Sequence, residues 1–336
     1  MADYGNELVG TSPAIESLRR LVEKIGRSPT RTVLIYGETG TGKGLVARMI
    51  HQVSSRAARD FMDINCAALP TSLLESELFG HEKGAFTGAI DRKLGLVEAA
   101  NQGSVFLDEI REMDLTLQAK LLTLLDTQQF RRVGAVKPVK VDVRFIAATN
   151  KVLLSEVASG RFREDLYYRL QVVAVNLPAL RDRSDDMLTL ARHFIGRFNR
   201  AYGRSVRGLS AETEDIFMRY AWPGNVRELE NLLERIFILE DEDVILPRHL
   251  PDRILRSVAA GRAAATPPAA TPSATPSVAT PAGHDDYHAA TEAFQRGLIT
   301  DALSGASGNP AEAARALGLS RHALRHQMIK LGLLKA

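Results

Sequence analysis

The heptapeptide Gly37-Glu38-Thr39-Gly40-Thr41-Gly42-Lys43 constrains the fold of this chain more than any other segment. It follows the β-branched run Thr32–Tyr36 and opens a helical pattern over 43–54, the strand–loop–helix context that a phosphate-binding loop requires. Glycines let successive backbone N–H groups converge on phosphate oxygens, and the helix N-terminus adds positive potential. Lys43 is expected to reach the β- and γ-phosphates of ATP. The next position, where Ser or Thr usually offers a hydroxyl to Mg2+, is Gly44. The ion must then rely on Asp108, phosphate oxygens and water.

Around this loop, apolar runs alternate with helical patterns. Strands are predicted at Thr32–Tyr36, Phe61–Asn65, Val105–Leu107, Val141–Ala148 and Val172–Val175, and helices at 43–54, 115–126 and 153–159. Such alternation argues for an α/β fold with a parallel sheet covered on both faces. From 185 to 256 the pattern is helical with no convincing strand, which predicts a smaller helical subdomain. Ala259–Gly283 holds only Ala, Thr, Pro, Ser and Gly apart from Arg262 and Val278. It has almost nothing to bury and reads as a tether. Beyond it, helical patterns resume over 286–303, after Asn309-Pro310, and after Ser320. A chain of 336 residues accommodates this number of units. The expected boundaries are 1–180 for the α/β unit, 181–256 for the helical unit, 257–284 for a disordered linker, and 285–336 for a small all-α module.

Three further features carry chemistry. Ser104–Glu109 reads as an apolar strand ending in the acidic pair Asp108-Glu109. Asp108 is expected to hold Mg2+ and Glu109 to orient or deprotonate the attacking water, since phosphoryl transfer depends mainly on positioning and charge stabilisation. Thr149-Asn150 ends the next strand; there an amide can read the γ-phosphate or align water, or simply cap the strand end. Gly84-Ala85-Phe86-Thr87-Gly88-Ala89 places a large aromatic in a glycine-framed loop, which packing hardly explains and a protein partner would. The net charge of +3 permits nucleic-acid contact without demanding it. No carboxylate follows Glu312, so the C-terminal end is locally basic. The single cysteine, Cys66, excludes a disulfide framework or a multi-cysteine zinc site. No signal pattern or bilayer-length apolar run occurs, so no membrane insertion and a cytoplasmic location are expected.

Together these residues resemble the bacterial enhancer-binding proteins, AAA+ ATPases that activate sigma-54 RNA polymerase; the hexapeptide Gly84–Ala89 is close to diagnostic. The resemblance runs from Leu8-Val9-Gly10 to the C-terminus. It implies an AAA+ parallel sheet with a helical lid, ATP and Mg2+ as cofactors, and assembly into a hexameric ring, with six or seven subunits left open. By the same likeness Asn65 couples Glu109 to the nucleotide state. Arg163 and Arg169, within Gly160–Leu170, are fingers that reach a neighbouring subunit's γ-phosphate, with Arg161 a bystander. Arg227, in Trp222-Pro-Gly-Asn-Val-Arg227, is the second sensor on the lid. Phe86 and Thr87 touch sigma-54, helped by a second pore loop at 131–137. Residues 311–334 resemble a Fis-like helix-turn-helix. Small Ala313 and Ala314 would allow close helix approach there, and Arg321, His322, Arg325, His326 and Lys330 would face enhancer DNA. Many relatives carry an N-terminal receiver or sensing domain. Here the ATPase starts within the first dozen residues, so control is expected from a trans-acting regulatory protein. The rival reading is a DNA-binding regulator that uses nucleotide only to oligomerise.

Overall fold

The structure, a computed structural model, describes residues 8–183 and 185–265, and beyond them only 299, 300, 303, 309, 312–314 and 328. Two compact units divide the chain, 1–267 and 268–336. Strands of the first unit are β1 Thr32–Tyr36, β2 Phe61–Asn65, β3 Gly80–His81, β4 Lys93–Leu94, β5 Ser104–Asp108, β6 Gln129–Phe130, β7 Val139–Lys140, β8 Arg144–Thr149, β9 Ala174–Asn176, β10 Gly208–Leu209 and β11 Val244–Ile245. Helices are α1 Pro13–Arg27, α2 Lys43–Gln52, α3 Thr71–Phe79, α4 Leu96–Ala99, α5 Leu115–Thr127, α6 Leu153–Ala158, α7 Glu164–Leu170, α8 Asp185–Tyr202, α9 Ala211–Arg219, α10 Asn225–Leu239 and α11 Asp252–Ala265.

The central sheet is parallel in the order β2-β5-β8-β1-β9. Every residue of β8 and the first four of β1 are buried, as expected for strands covered on both faces. One face packs on a core that includes Leu107, Leu117, Leu121, Phe145 and Leu166. The other packs on Val22, Ile25, Val46, Ile50 and Ile146. Arg144, only 2% exposed, donates to the carbonyls of Ile25 and Gly26 at the C-terminal end of α1. Burial pulls its guanidinium down to about 10. The predicted strand 141–148 begins only at Arg144. Its first residues instead meet neighbouring loops, with the Asp142 N–H donating to Asn101 Oδ1 and the Gln102 N–H to the Asp142 carbonyl.

Residues from Leu180 onward form the helical unit, built around Trp222, Phe217, Leu229, Leu233 and Ile254. It contains one feature that helical periodicity does not reveal, the two-residue parallel pair β10–β11. The indole N–H of Trp222 donates to the Phe217 carbonyl at 2.8 Å, and its ring meets Phe217 and Tyr220 edge-on. A Trp222→Ala substitution is expected to cost about 3–5 kcal/mol through the cavity left behind, read as a lower urea midpoint; an unchanged midpoint would contradict this packing role.

The expected linker 257–284 requires correction at its start, because α11 continues through Ala265. Ile254 is buried and Leu255 and Val258 pack on the helical core, and the alanines that follow are the best helix formers, up to the helix-breaking Pro267-Pro268. The rest of that segment lies outside the described residues. Of the second unit, Ala313 and Ala314 are helical and buried, and the Ala313 N–H donates to the Asn309 carbonyl. Arg321, His322, Arg325, His326 and Lys330 lie outside the described residues.

Candidate nucleotide site and partner loop

A parallel sheet brings the C-terminal ends of its strands to one edge, where ligands of α/β folds bind. Here that edge collects Gly37 after β1, Asn65 ending β2, Asp108-Glu109 at the end of β5, and Asn150 after β8. Asn65 and Asp108 are partners in the β2–β5 register. Gly42 takes a left-handed backbone, φ 101°, just before α2. Lys43, 7% exposed, turns back over the loop: its Nζ donates to the Gly37 carbonyl at 3.0 Å and stands 3.5 Å from Glu109 Oε1. Glu109 is held at φ 50°, ψ 51°, a left-handed conformation that costs a residue with a Cβ about 1–3 kcal/mol. In return its Oε2 accepts the Asn150 N–H at 3.3 Å. The Asn150 amide donates to Thr39 Oγ1 at 3.3 Å, while its Oδ1 is buried with no partner among the described residues. Such an orphaned acceptor suits a bound water.

The residues fit Mg2+ through one protein ligand. Asp108 makes no ion pair among the described residues, and one of its oxygens accepts the Glu109 N–H. Gly44 has no side-chain oxygen to offer, and the Thr41 hydroxyl is committed to the Glu38 carbonyl at 2.8 Å. A hard cation held by one carboxylate, phosphate oxygens and water matches this set.

Other candidates are placed differently. Asn65 is not brought onto Glu109; its Oδ1 accepts the Ala67 N–H at 2.8 Å and caps the turn. Arg163 pairs with Asp165 through Nε at 3.0 Å and Nη2 at 2.7 Å, which holds that carboxyl below its usual range. Arg169 pairs with Asp126 at 3.0 Å and donates to the Leu125 carbonyl. Arg161 pairs with Glu156 at 2.6 Å. Arg227 is exposed, with its backbone N–H donating to the Gly40 carbonyl at 3.3 Å. Burial, then the neighbouring Asp108 charge, pushes the Cys66 thiol up to about 12, so it is an inert core group.

The hexapeptide crowns a loop between β3 and β4, inserted between α3 and α4. Gly84 and Gly88 are left-handed, and the Gly84 N–H closes the loop on the Ala89 carbonyl at 2.8 Å. Phe86 is 43% exposed, its ring edge-on to His81 at 4.9 Å between centroids. Thr87 is exposed. The segment 131–137 lies alongside: the Val133 N–H donates to the Gly80 carbonyl, the Glu82 N–H to the Val133 carbonyl, and a Cβ on Gly134 would stand 2.8 Å from the Ala85 methyl. Arg132 ties both segments together through Glu82 and Glu98. Ile90 and Val136, in the same two segments, are also exposed.

Sequence reasoning missed Asn225, Arg181 and Asp186. The Asp186 carboxylate is fully buried and accepts the N–H groups of Thr11 and Ser12 and the Ser12 hydroxyl, fastening the N-terminal segment to α8. Gly-Asn at the start of a helix is a turn signal that could have pointed to Asn225. Nothing local marks Arg181 or Asp186.

A phosphate loop, an acidic strand end, a polar amide ending the adjacent strand and a helical unit behind them define an AAA+ nucleotide-binding protein. Sequence profiles agree in chain order: "Sigma-54 interaction domain" matches residues 8–176, "AAA+ ATPase lid domain" 181–267, and "Bacterial regulatory protein, Fis family" 290–331. The chain belongs to the sigma-54 activator family of AAA+ proteins. It is 43% identical over 328 residues to the nitrogen fixation protein AnfA of Azotobacter vinelandii, covering 98% of this chain and 58% of AnfA. The transcriptional regulator NtrC of Escherichia coli K12 is 43% identical over 331 residues, covering 97% of this chain and 70% of NtrC. The crystal structure of NtrX from Brucella abortus in complex with ATP superposes with a TM-score of 0.70 at 34% identity, covering 97% of this chain and 70% of NtrX. The chain thus spans 58% and 59% of the length of AnfA and its A. vinelandii relative VnfA. Among the described residues no helix is long and apolar enough to cross a membrane.

Proposed function

We propose that this protein is an ATP-hydrolysing activator of transcription. It binds enhancer DNA, assembles into a hexameric ring and remodels the closed complex of sigma-54 RNA polymerase holoenzyme so that the promoter opens. In this reading Gly37–Gly44 cradle the phosphates, Lys43 neutralises them, and Asp108 holds Mg2+, which would screen the charge of the phosphate oxygens. Glu109 and Asn150 align the attacking water. Arg163 and Arg169 act on the next subunit's nucleotide, and Arg227 reports from the lid. Residues 285–336 bind DNA through Arg321, His322, Arg325, His326 and Lys330. A trans-acting regulatory protein sets activity, and the work is done in the cytoplasm, where promoter DNA lies.

The observation that carries the reading is the route from nucleotide to loop. Asn65 lies beside Asp108 at the site edge, and the turn after Asn65 leads directly into α3, which ends at the base of the Gly84–Ala89 loop. A shift at the γ-phosphate would then pass along β2 and α3 to Phe86 and Thr87. The test is promoter opening by permanganate footprinting with purified protein, sigma-54 holoenzyme and ATP. Opening should require all three, and a non-hydrolysable analogue should not support it. Opening without hydrolysis, or only with another sigma factor, would overturn the proposal.

A further inference from the structure

The second residue of the phosphate loop does not face the phosphate cradle. The Glu38 carboxylate turns toward the 3-10 turn Leu180–Arg183, where Arg181 grips it with both terminal nitrogens, Nη1–Oε2 at 2.9 Å and Nη2–Oε1 at 2.5 Å. Asn225, the first residue of α10, completes the cluster. Its side chain is fully buried; Nδ2 donates to Glu38 Oε2 at 3.1 Å and to the Thr39 carbonyl at 3.0 Å, and Oδ1 accepts the Leu180 N–H at 2.8 Å. One amide thus joins the phosphate loop, the connection into the helical unit, and the helix that bears Arg227. Asn225 adopts φ 52° to do so, a backbone Asn tolerates better than most residues. The backbones also touch: a Cβ on Gly40 would collide with the Gly224 carbonyl, and the Arg227 N–H donates to the Gly40 carbonyl. The Arg181 bonds, then that of Asn225, hold the Glu38 carboxyl down at about 2.

We propose that Glu38, Arg181 and Asn225 form a latch that clamps the helical lid onto the phosphate loop and sets how long nucleotide stays bound. The proposal rests on the reading of Gly37–Lys43 as the nucleotide loop. The three are positioning residues: Glu38 lends the cradle its backbone alone, and none of the three side chains is assigned contact with the reacting atoms. Withdrawing the lid from the loop must break a bidentate charged pair and the two bonds from the Asn225 amide, so the latch opposes product release. The same bonds carry any rearrangement of the loop directly to the N-terminus of α10.

Stopped-flow dissociation of a fluorescent ADP analogue tests this. Glu38 and Arg181 are both partly exposed, so Glu38→Gln and Arg181→Ala should fold normally. Each should speed release about three- to tenfold, the range for a bidentate, half-exposed pair. The double variant should release no faster than the faster single one, because the two residues act through one interaction. Asn225→Asp keeps the acceptor for Leu180 but sets a second carboxylate against Glu38, and should release faster still. Adding Glu38→Gln to Asn225→Asp should then slow release again, a reversal of sign that general loosening of the fold would not produce. Unchanged rates, additive effects of Glu38→Gln and Arg181→Ala, or no rescue of Asn225→Asp would overturn the latch. Failure of the unaltered protein to bind the analogue would instead overturn the nucleotide-loop reading beneath it.

Discussion

Arg169→Ala protein is expected to bind ATP normally and to lose about three orders of magnitude in turnover, the usual worth of a finger arginine. The geometry makes the residue useless to its own site. The Arg169 carbonyl accepts the Thr32 hydroxyl at 3.1 Å, and Thr32 starts the strand whose far end leads into the phosphate loop. The side chain lines a cavity of about 230 Å3 at that opposite edge of the sheet, with Arg31, Leu125 and Phe145. In the proposed ring, a guanidinium there would stabilise charge on a nucleotide held by another copy. In this protomer it rests on Asp126, and Arg163 rests on Asp165. Both pairs are exposed, so a phosphate of higher charge can draw the arginines away cheaply. Mixing Arg169→Ala with Lys43→Ala protein should restore turnover, because some junctions then pair an intact loop with an intact finger. Full turnover by Arg169→Ala alone, or no recovery in the mixture, would contradict donation across the subunit boundary.

Glu109→Gln is the second large effect. Hydrolysis should fall by about a hundredfold or more, the contribution of a positioned base, while ATP binding is kept or tightened. Gln retains an oxygen for the Asn150 N–H, so the strand-end geometry survives. What is lost is the negative charge 3.5 Å from the Lys43 ammonium and the ability to take a proton from water. Removing that charge leaves Lys43 freer to pair with phosphate. Single-turnover kinetics separates the two quantities; unchanged hydrolysis would remove Glu109 from its role. Normal regulation by this variant without hydrolysis would favour the rival, a DNA-binding regulator that uses nucleotide only to oligomerise and represses or acts through another sigma factor.

The central strands were legible because β1, β5 and β8 are buried on both faces and so stand out as apolar or β-branched runs; the edge strand β2, with Asp63 exposed, stood out only by Phe61, Met62 and Ile64. The site loop and acidic pair were legible for a related reason: both sit at strand ends, where glycine and carboxylate interrupt apolar runs. Local pattern failed where distant contacts decide the backbone. Val141–Val143 look like strand, yet their neighbours pull them into a loop. The Ala-rich start of the linker looks featureless, yet it extends a helix that Ile254 anchors to the lid core. The latch was invisible because its three members are spread from 38 to 225, and nothing in Leu180-Arg181-Asp182 marks one arginine as a partner of the phosphate loop. The partners of Asn65, Arg163 and Arg169 were illegible too, since a capped turn and pairs such as Arg163–Asp165 and Arg169–Asp126 depend on side-chain placement.

The central claim is that ATP hydrolysis is spent on moving a loop tipped by Phe86 and Thr87 against the polymerase. Thr87→Ala tests it most directly, with ATP turnover and promoter opening measured on the same preparation. The side chain is exposed at the loop tip and far in sequence from every residue assigned to the phosphates. The account predicts ATP turnover within about twofold of the unaltered protein, as for a surface substitution that leaves the fold intact, together with loss of promoter opening. Opening at the unaltered rate by Thr87→Ala protein would contradict it.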